Sequence, residues 1–148
     1  MSEGHPSPTP RVERPTLRVT IVTDDRVVYD GLADRVSAPA TLGMITVLPH
    51  HVCLITTLEP GELIVKWEGE AKYYAISGGF LEVRDDEVTI LGDTVERAEE
   101  IDVARAEAAR QRAEALVHTA RERPEYLAGL QALQRSRARL KVAQRVRR

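Results

Sequence analysis

Short apolar runs punctuated by turn-forming residues dominate the chain from Leu17 to Gly92. The runs LRVTIVT, RVVYDG, DRVSAP, MITVLP, CLITTL, ELIVKW, KYYAIS, FLEVR and EVTILG follow one another at intervals of about ten residues. Such β-branched runs, separated by Gly, Pro and Asp, predict the strands of a sandwich or barrel. Within ELIVKW, Leu63, Val65 and Trp67 alternate with Ile64 and Lys66, so one side of the strand faces a core. Glu68-Gly69-Glu70 and Arg84-Asp85-Asp86-Glu87 predict tight hairpin connections, and Glu59-Pro60-Gly61-Glu62 predicts a type II turn. Neighbouring strands are expected to be antiparallel. CLITTL reads as a buried strand that includes Cys53.

Beyond Gly92 the period lengthens to about 3.6 residues. Ala104, Ala108, Ala115, Leu116 and Val117 fall between Asp102 and Arg121, predicting a helix of about five turns. Pro124 suits the first turn of a second helix, where a missing N–H costs little, and Leu127, Leu130, Leu133 and Leu140 form its apolar stripe. The short connection RERPE folds the two helices into an antiparallel hairpin. Alanine methyls against a narrow leucine stripe bury little apolar area, so the hairpin is weakly clasped. The fold class is therefore α+β: an N-terminal antiparallel β-sandwich over 16–93, then a C-terminal two-helix hairpin over 94–148. Residues 1–15 carry four prolines and little apolar surface, and read as a disordered leader.

Charge divides the 148-residue chain in two. Residues 121–148 hold nine Lys/Arg against two Asp/Glu, leaving 12 against 21 for the rest. A basic tail on an acidic body implies different partners for the two parts. The acidic body, with one Phe and one Trp, argues against a nucleic-acid surface, which needs stacking rings. The single Cys53 excludes an internal disulfide and a thiolate metal cluster, which favours a reducing cytoplasmic setting. No apolar run reaches the roughly 20 residues that span a bilayer, and the leader lacks the apolar core of a signal peptide.

No phosphate-binding glycine loop, metal-ligand spacing or Ser/His/Asp or Cys/His pair emerges, so no catalytic centre, metal or required cofactor is expected. Ser77-Gly78-Gly79 reads as a backbone bend, and the adjacent His50 and His51 as loop residues after Pro49. Asp102 suits a helix N-cap, with Arg105 then a surface cation. Arg105 and Arg112 also lie seven residues apart on one helix face, where they can meet arginines of the returning helix and make an anion site. The run Arg135, Arg137, Arg139, Lys141, Arg145, Arg147, Arg148 reads either as a solvated helix end or as a dock for an acidic surface.

The order of these features resembles the ε subunit of F-type ATP synthases (δ in mitochondria), from about Thr16 to the C-terminus. The segments that carry it are VLPHHVCLITTLEPGELIV, YAISGGFLEV, VTIL and AEEID. Cys53 stands where the family usually has Pro, and Ala40 and Thr46 replace glycines. The resemblance implies a sandwich of about ten strands and a non-catalytic rotor subunit of a proton-translocating synthase. It would sit peripherally on the cytoplasmic face of a bacterial membrane and meet that membrane only through the complex. The sandwich would join the γ subunit to the c-ring, with Pro49 and His51 on that surface. The hairpin would extend to inhibit ATP hydrolysis by the αβ ring, with Arg135, Arg137, Arg139 and Lys141 facing the β subunit. Ile101, Asp102, Arg105 and Ala106 match an Ile/Leu-Asp-x-x-Arg-Ala motif that binds ATP as a regulatory ligand in some members, with Glu96, Arg112, Arg135 and Arg139 as further contacts. A free-standing adaptor, docking an acidic partner through its basic helix, is the alternative.

Overall fold

A computed structural model describes residues 14–147. The expected leader at 1–15 therefore lies almost entirely outside the described residues. Ten strands are followed by a 3-10 turn and two helices. The strands are β1 (Leu17–Val22), β2 (Val27–Ala33), β3 (Arg35–Ala40), β4 (Gly43–Val47), β5 (Leu54–Leu58), β6 (Gly61–Trp67), β7 (Glu70–Ile76), β8 (Gly79–Arg84), β9 (Glu87–Gly92) and β10 (Val95–Arg97). The turn at Ala98–Glu100 leads into α1 (Val103–Thr119) and α2 (Arg123–Ala143).

Hydrogen bonding runs along one path, β10-β7-β6-β3-β5-β8-β9-β1-β2, with β4 on the other side of β3. A single residue pair, Ala40 with Leu58, joins β3 to β5, and at that corner the sheet folds over into two layers. Leu17, Val19, Ile21, Leu63, Val65, Tyr74, Ile76, Leu81 and Ile90 fill the space between the layers and are buried. The hairpins expected from sequence pair antiparallel, but β1 pairs with β9 in parallel. That closure joins strands far apart in sequence, which no local pattern encodes.

The turns follow the backbone's steric rules. Glu68 and Gly69 have φ of 52° and 82°, and Asp85 and Asp86 have φ of 50° and 62°. Both pairs meet the left-handed requirement of a two-residue hairpin. Gly61 does not take the positive φ of the expected type II turn; it begins β6. A Cβ there would lie 2.7 Å from Cβ of Pro39, so close approach to β3 explains the glycine. Gly79, in the expected backbone bend, has φ 143°, and a Cβ on it would meet the Leu91 carbonyl oxygen at 1.9 Å. Cys53 is exposed and precedes β5, rather than lying in a buried strand.

The sheet reaches four residues past the expected boundary at 93, because β10 pairs with β7 from Val95 to Arg97. Alternation along β6 and β7 gives their layer a second apolar face. Leu63, Val65, Tyr74 and Ile76 point into the core, leaving Glu62, Ile64, Tyr73 and Ala75 on the outer side. There Ala75, Ala98, Ile101, Val142 and Ala143 form a small separate cluster with Tyr73. This cluster seats α2 on the sandwich, and α1 packs on α2. In α1 the buried alanines are Ala106 and Ala113, whereas the expected Ala104, Ala108 and Ala115 are exposed. Of the leucine stripe on α2, Leu133 is buried and Leu127 exposed.

Candidate functional site

Asp102 starts α1 as its N-cap, and its Oδ1 accepts from the Arg105 backbone N–H at 3.1 Å. That cap sets the phase of the helix, and from it Arg105, Ala109, Arg112, Ala113 and Leu116 all turn toward the edge of the sandwich. Returning along α2, Ala132, Arg135, Ser136 and Arg139 face the same way. Gly129 allows the two helices to come close: a Cβ there would lie 3.0 Å from Val117 Cγ2. The third wall is the sheet edge, with Ala75, Ile76, Ser77, Asp93, Thr94 and Glu96.

Together these walls enclose an open cavity of about 770 Å³. Small side chains along the helices leave the volume, and arginines line its rim. Arg139 donates through Nε to the Glu96 carboxylate at 3.2 Å, and both are half-buried. Among the described residues, Arg105, Arg112 and Arg135 have no carboxylate within salt-bridge distance. Three unneutralised guanidiniums around one hollow suit a multiply charged anion, because each presents a planar fork of donors. The apolar patches from Ala75, Ile76, Ala109 and Leu116 offer a flat group somewhere to rest.

Of the eight residues expected to meet a nucleotide, Glu96, Arg105, Arg112, Arg135 and Arg139 line this cavity. The other three have visible structural roles. Ile101 is buried in the cluster beneath α2, and its carbonyl accepts from Arg147 Nη2 at 2.5 Å. Ala106 is fully buried, and Asp102 caps α1 at an exposed position. Asp93 and Thr94 line the cavity without having been singled out, as does Ser77, read from sequence only as part of a backbone bend; Thr94 N–H donates to Ser77 Oγ at 2.9 Å. Only the pairing of β10 with β7 brings them there, so sequence spacing carried no signal.

The four basic residues expected to meet an acidic partner divide between two faces. Arg135 and Arg139 turn to the cavity, while Arg137 and Lys141 are exposed without lining it. The basic end of the chain is also partly engaged: Arg145 makes a bidentate pair with buried Glu62, both contacts at 2.8 Å. Pro49 and His51 lie far from these in sequence, on the loop between β4 and β5. The His51 N–H donates to the Leu48 carbonyl at 3.1 Å. The same loop and the flanking strands expose Leu48, Val52, Ile55 and Met44.

Comparison with known proteins agrees with both parts of the fold. Residues 16–98 match the family described as ATP synthase, Delta/Epsilon chain, beta-sandwich domain. Residues 99–144 match its long alpha-helix domain. The ATP synthase epsilon chain of Acidithiobacillus ferridurans is 42% identical over 132 residues, 89% of this chain and 94% of that one. That of Herpetosiphon aurantiacus is 48% identical over 128 residues, covering 86% and 93%. Among solved structures, a chain of the Euglena gracilis mitochondrial ATP synthase (OSCP/F1/c-ring, rotational state 1) superposes with a TM-score of 0.78 at 26% identity, covering 88% of this chain and 82% of its own. A chain from the central stalk and c-ring of the Tetrahymena thermophila mitochondrial enzyme shares the fold, with a TM-score of 0.64 at 18% identity, covering 86% and 96%.

Proposed function

The chain belongs to the delta/epsilon family of ATP synthase, matching its epsilon chains, and from that premise we propose a non-catalytic rotor subunit whose hairpin restrains ATP hydrolysis and whose folded form takes ATP. The sandwich joins γ to the c-ring through the surface around Pro49 and His51, where exposed Leu48, Val52 and Ile55 supply apolar contact. No described helix is long and apolar enough to cross a membrane, in keeping with a peripheral place on the cytoplasmic face of a bacterial membrane, held there by the proton-translocating complex. In the extended form Arg135, Arg137, Arg139 and Lys141 face acidic residues of the αβ ring.

The observation that carries the nucleotide reading is the cavity itself. Two of its walls are helices and the third is the sheet edge, so it exists only while the hairpin lies on the sandwich. A ligand filling it binds one state and not the other. At about 100 times its dissociation constant such a ligand stabilises the folded state by about 2.7 kcal/mol, enough to shift a weakly clasped hairpin by a factor of about 100. Arg105, Arg112 and Arg135 meet the phosphates, while Arg139 must share its charge with Glu96. Asp102, which caps α1 three residues before Arg105, is the contact for the base end, whereas Ile101 and Ala106 are buried and do not line the cavity.

Titration calorimetry of the full chain with ATP tests the site. Heat should be seen for the wild type and be lost or sharply weakened in Arg105→Ala and Arg112→Ala; absence of wild-type heat at millimolar ATP removes the nucleotide reading. The inhibitory reading rests on a separate measurement. Assembled synthase carrying this chain without residues 102–148 should hydrolyse ATP faster than the intact complex, and equal rates would exclude inhibition by the hairpin.

A further inference from the structure

Two glutamates stand in one row across the outer face of the sandwich. Glu96 of β10 pairs with Ala75 of β7, and Ala75 pairs in turn with Glu62 of β6. Each glutamate receives one arginine from the end of the hairpin: Arg139 reaches Glu96 and Arg145 reaches Glu62. The two pairs differ in setting. Glu96 and Arg139 line the cavity, whereas Glu62 and Arg145 do not.

The second pair has the stronger geometry. Glu62 is 5% exposed on a strand whose neighbours are apolar. Arg145 donates to it through both Nε and Nη2, each at 2.8 Å, the side-on arrangement that fixes orientation as well as distance. The guanidinium carbon lies 5.0 Å from the centre of the Tyr73 ring, so the ring's face shelters the cation. Arg145 sits in the turn just beyond α2, held by its N–H donating to the Val142 carbonyl at 3.0 Å. Val142 and Ala143, immediately before it, are the residues that α2 buries against the sheet.

We propose that Glu62, Arg145 and Tyr73 form a latch that holds α2 on the sandwich independently of any ligand in the cavity. The apolar seat is small: Val142 and Ala143 of α2 meet Ala75, Ala98 and Ile101 beside Tyr73. Apolar burial of that size does not by itself choose a register for the helix. The bidentate pair does: it places the last turn over β6, and Arg139 and Arg135 then fall, six and ten residues upstream, at the cavity rim. An anion in the cavity competes with Glu96 for Arg139, loosening one pair of the row while the other stays closed. Lifting the hairpin re-exposes Glu62 to water and separates it from its only described cation, so the pair exists in the folded state alone.

The latch rests on the two-state hairpin reading but not on nucleotide binding, and hydrogen exchange of the full chain without nucleotide separates the two. Replacing one partner of a sheltered charge pair leaves the other uncompensated, so Arg145→Gln and Glu62→Gln should each raise amide exchange across residues 130–143 by about tenfold or more. The β8 and β9 amides serve as the folding control, and Arg121→Gln, in the exposed loop, should leave exchange unchanged. The double variant should exchange no faster than the worse single variant, as expected of a coupled pair. Unchanged α2 exchange in both single variants, or fully additive effects in the double, would overturn the latch whatever ATP does. Faster exchange in a protein that shows no heat with ATP would keep the latch and remove only the nucleotide site.

Discussion

Asp102 is a residue whose structural duty can be separated from any ligand duty. Its carboxylate caps α1 through the Arg105 N–H, so Asp102→Ala should destabilise the hairpin by about 1 kcal/mol. Asn keeps the acceptor and loses only the charge. Asp102→Asn should therefore unfold like the wild type in a denaturant titration, and any change in its ATP heat then reports the charge alone. Tyr74 offers a second residue-scale test. Burial pushes its hydroxyl from 10.0 up to about 12, with Arg97 opposing the rise. The folded state thus favours the neutral phenol: the contribution is whole below about pH 10 and is lost as pH climbs toward about 12, amounting to as much as about 3 kcal/mol. Denaturant midpoints across that alkaline range, compared with Tyr74→Phe, check it; a variant that tracks the wild type throughout refutes the assignment. At this scale the sequence revealed Asp102 as a cap because capping is local chemistry. It did not reveal that Ile101 is a core residue, since its partners Val142 and Ala143 lie about forty residues on.

Strands and hairpin turns were legible because a period of two and a pair of left-handed residues are both written locally. Their closure was not: the parallel pairing of β1 with β9 and the approach of Pro39 to Gly61 depend on the whole layer. The helices were legible as helices but not as faces. In α1 so many positions are alanine that several phases fit the pattern, and Ala106 and Ala113 rather than Ala104, Ala108 and Ala115 proved to be inward. Arg105 and Arg112 nevertheless line the same cavity, because seven residues nearly complete two turns. Close helix contact at Gly129 supplies the element-scale prediction. A valine side chain there meets Val117 and Leu116, whose atoms already lie within 3.0 and 3.3 Å of the first added carbon. Gly129→Val should force the helices apart and destabilise the hairpin by about 1–3 kcal/mol. Helix loss followed by far-UV circular dichroism should then begin at a lower temperature, with the strand signal unshifted.

The sandwich and the hairpin share little, and their stabilities should separate. Every residue of the main core comes from the ten strands, and none from α1 or α2. The hairpin adds only Val142 and Ala143 to the cluster on the outer face, with the ion pairs to Glu62 and Glu96. Meanwhile the segment that leads out of the sheet is tied down on its own account. Arg97 donates to the Val28 carbonyl at 3.0 Å, and Arg26 reaches the Val95 carbonyl at 3.1 Å and Glu100 at 3.2 Å. The hydrogen bond from Arg26 holds the Glu100 carboxyl below its ordinary value. A chain ending at Ile101 therefore keeps its core and the ties that close it, and loses the cover over Glu62, Tyr73, Ala75, Glu96, Ala98 and Ile101. Its thermal midpoint should fall by only a few degrees, as expected for the loss of about 1 kcal/mol in a domain of this size. A cooperative collapse of the strands on removing 102–148 would mean instead that the hairpin is part of the sandwich's core. On the function proposed above, independence has a mechanical consequence: the hairpin would lift and return at a cost set by one small apolar seat, two ion pairs and the Arg147–Ile101 hydrogen bond, while the surface proposed around Pro49 and His51 would keep its shape.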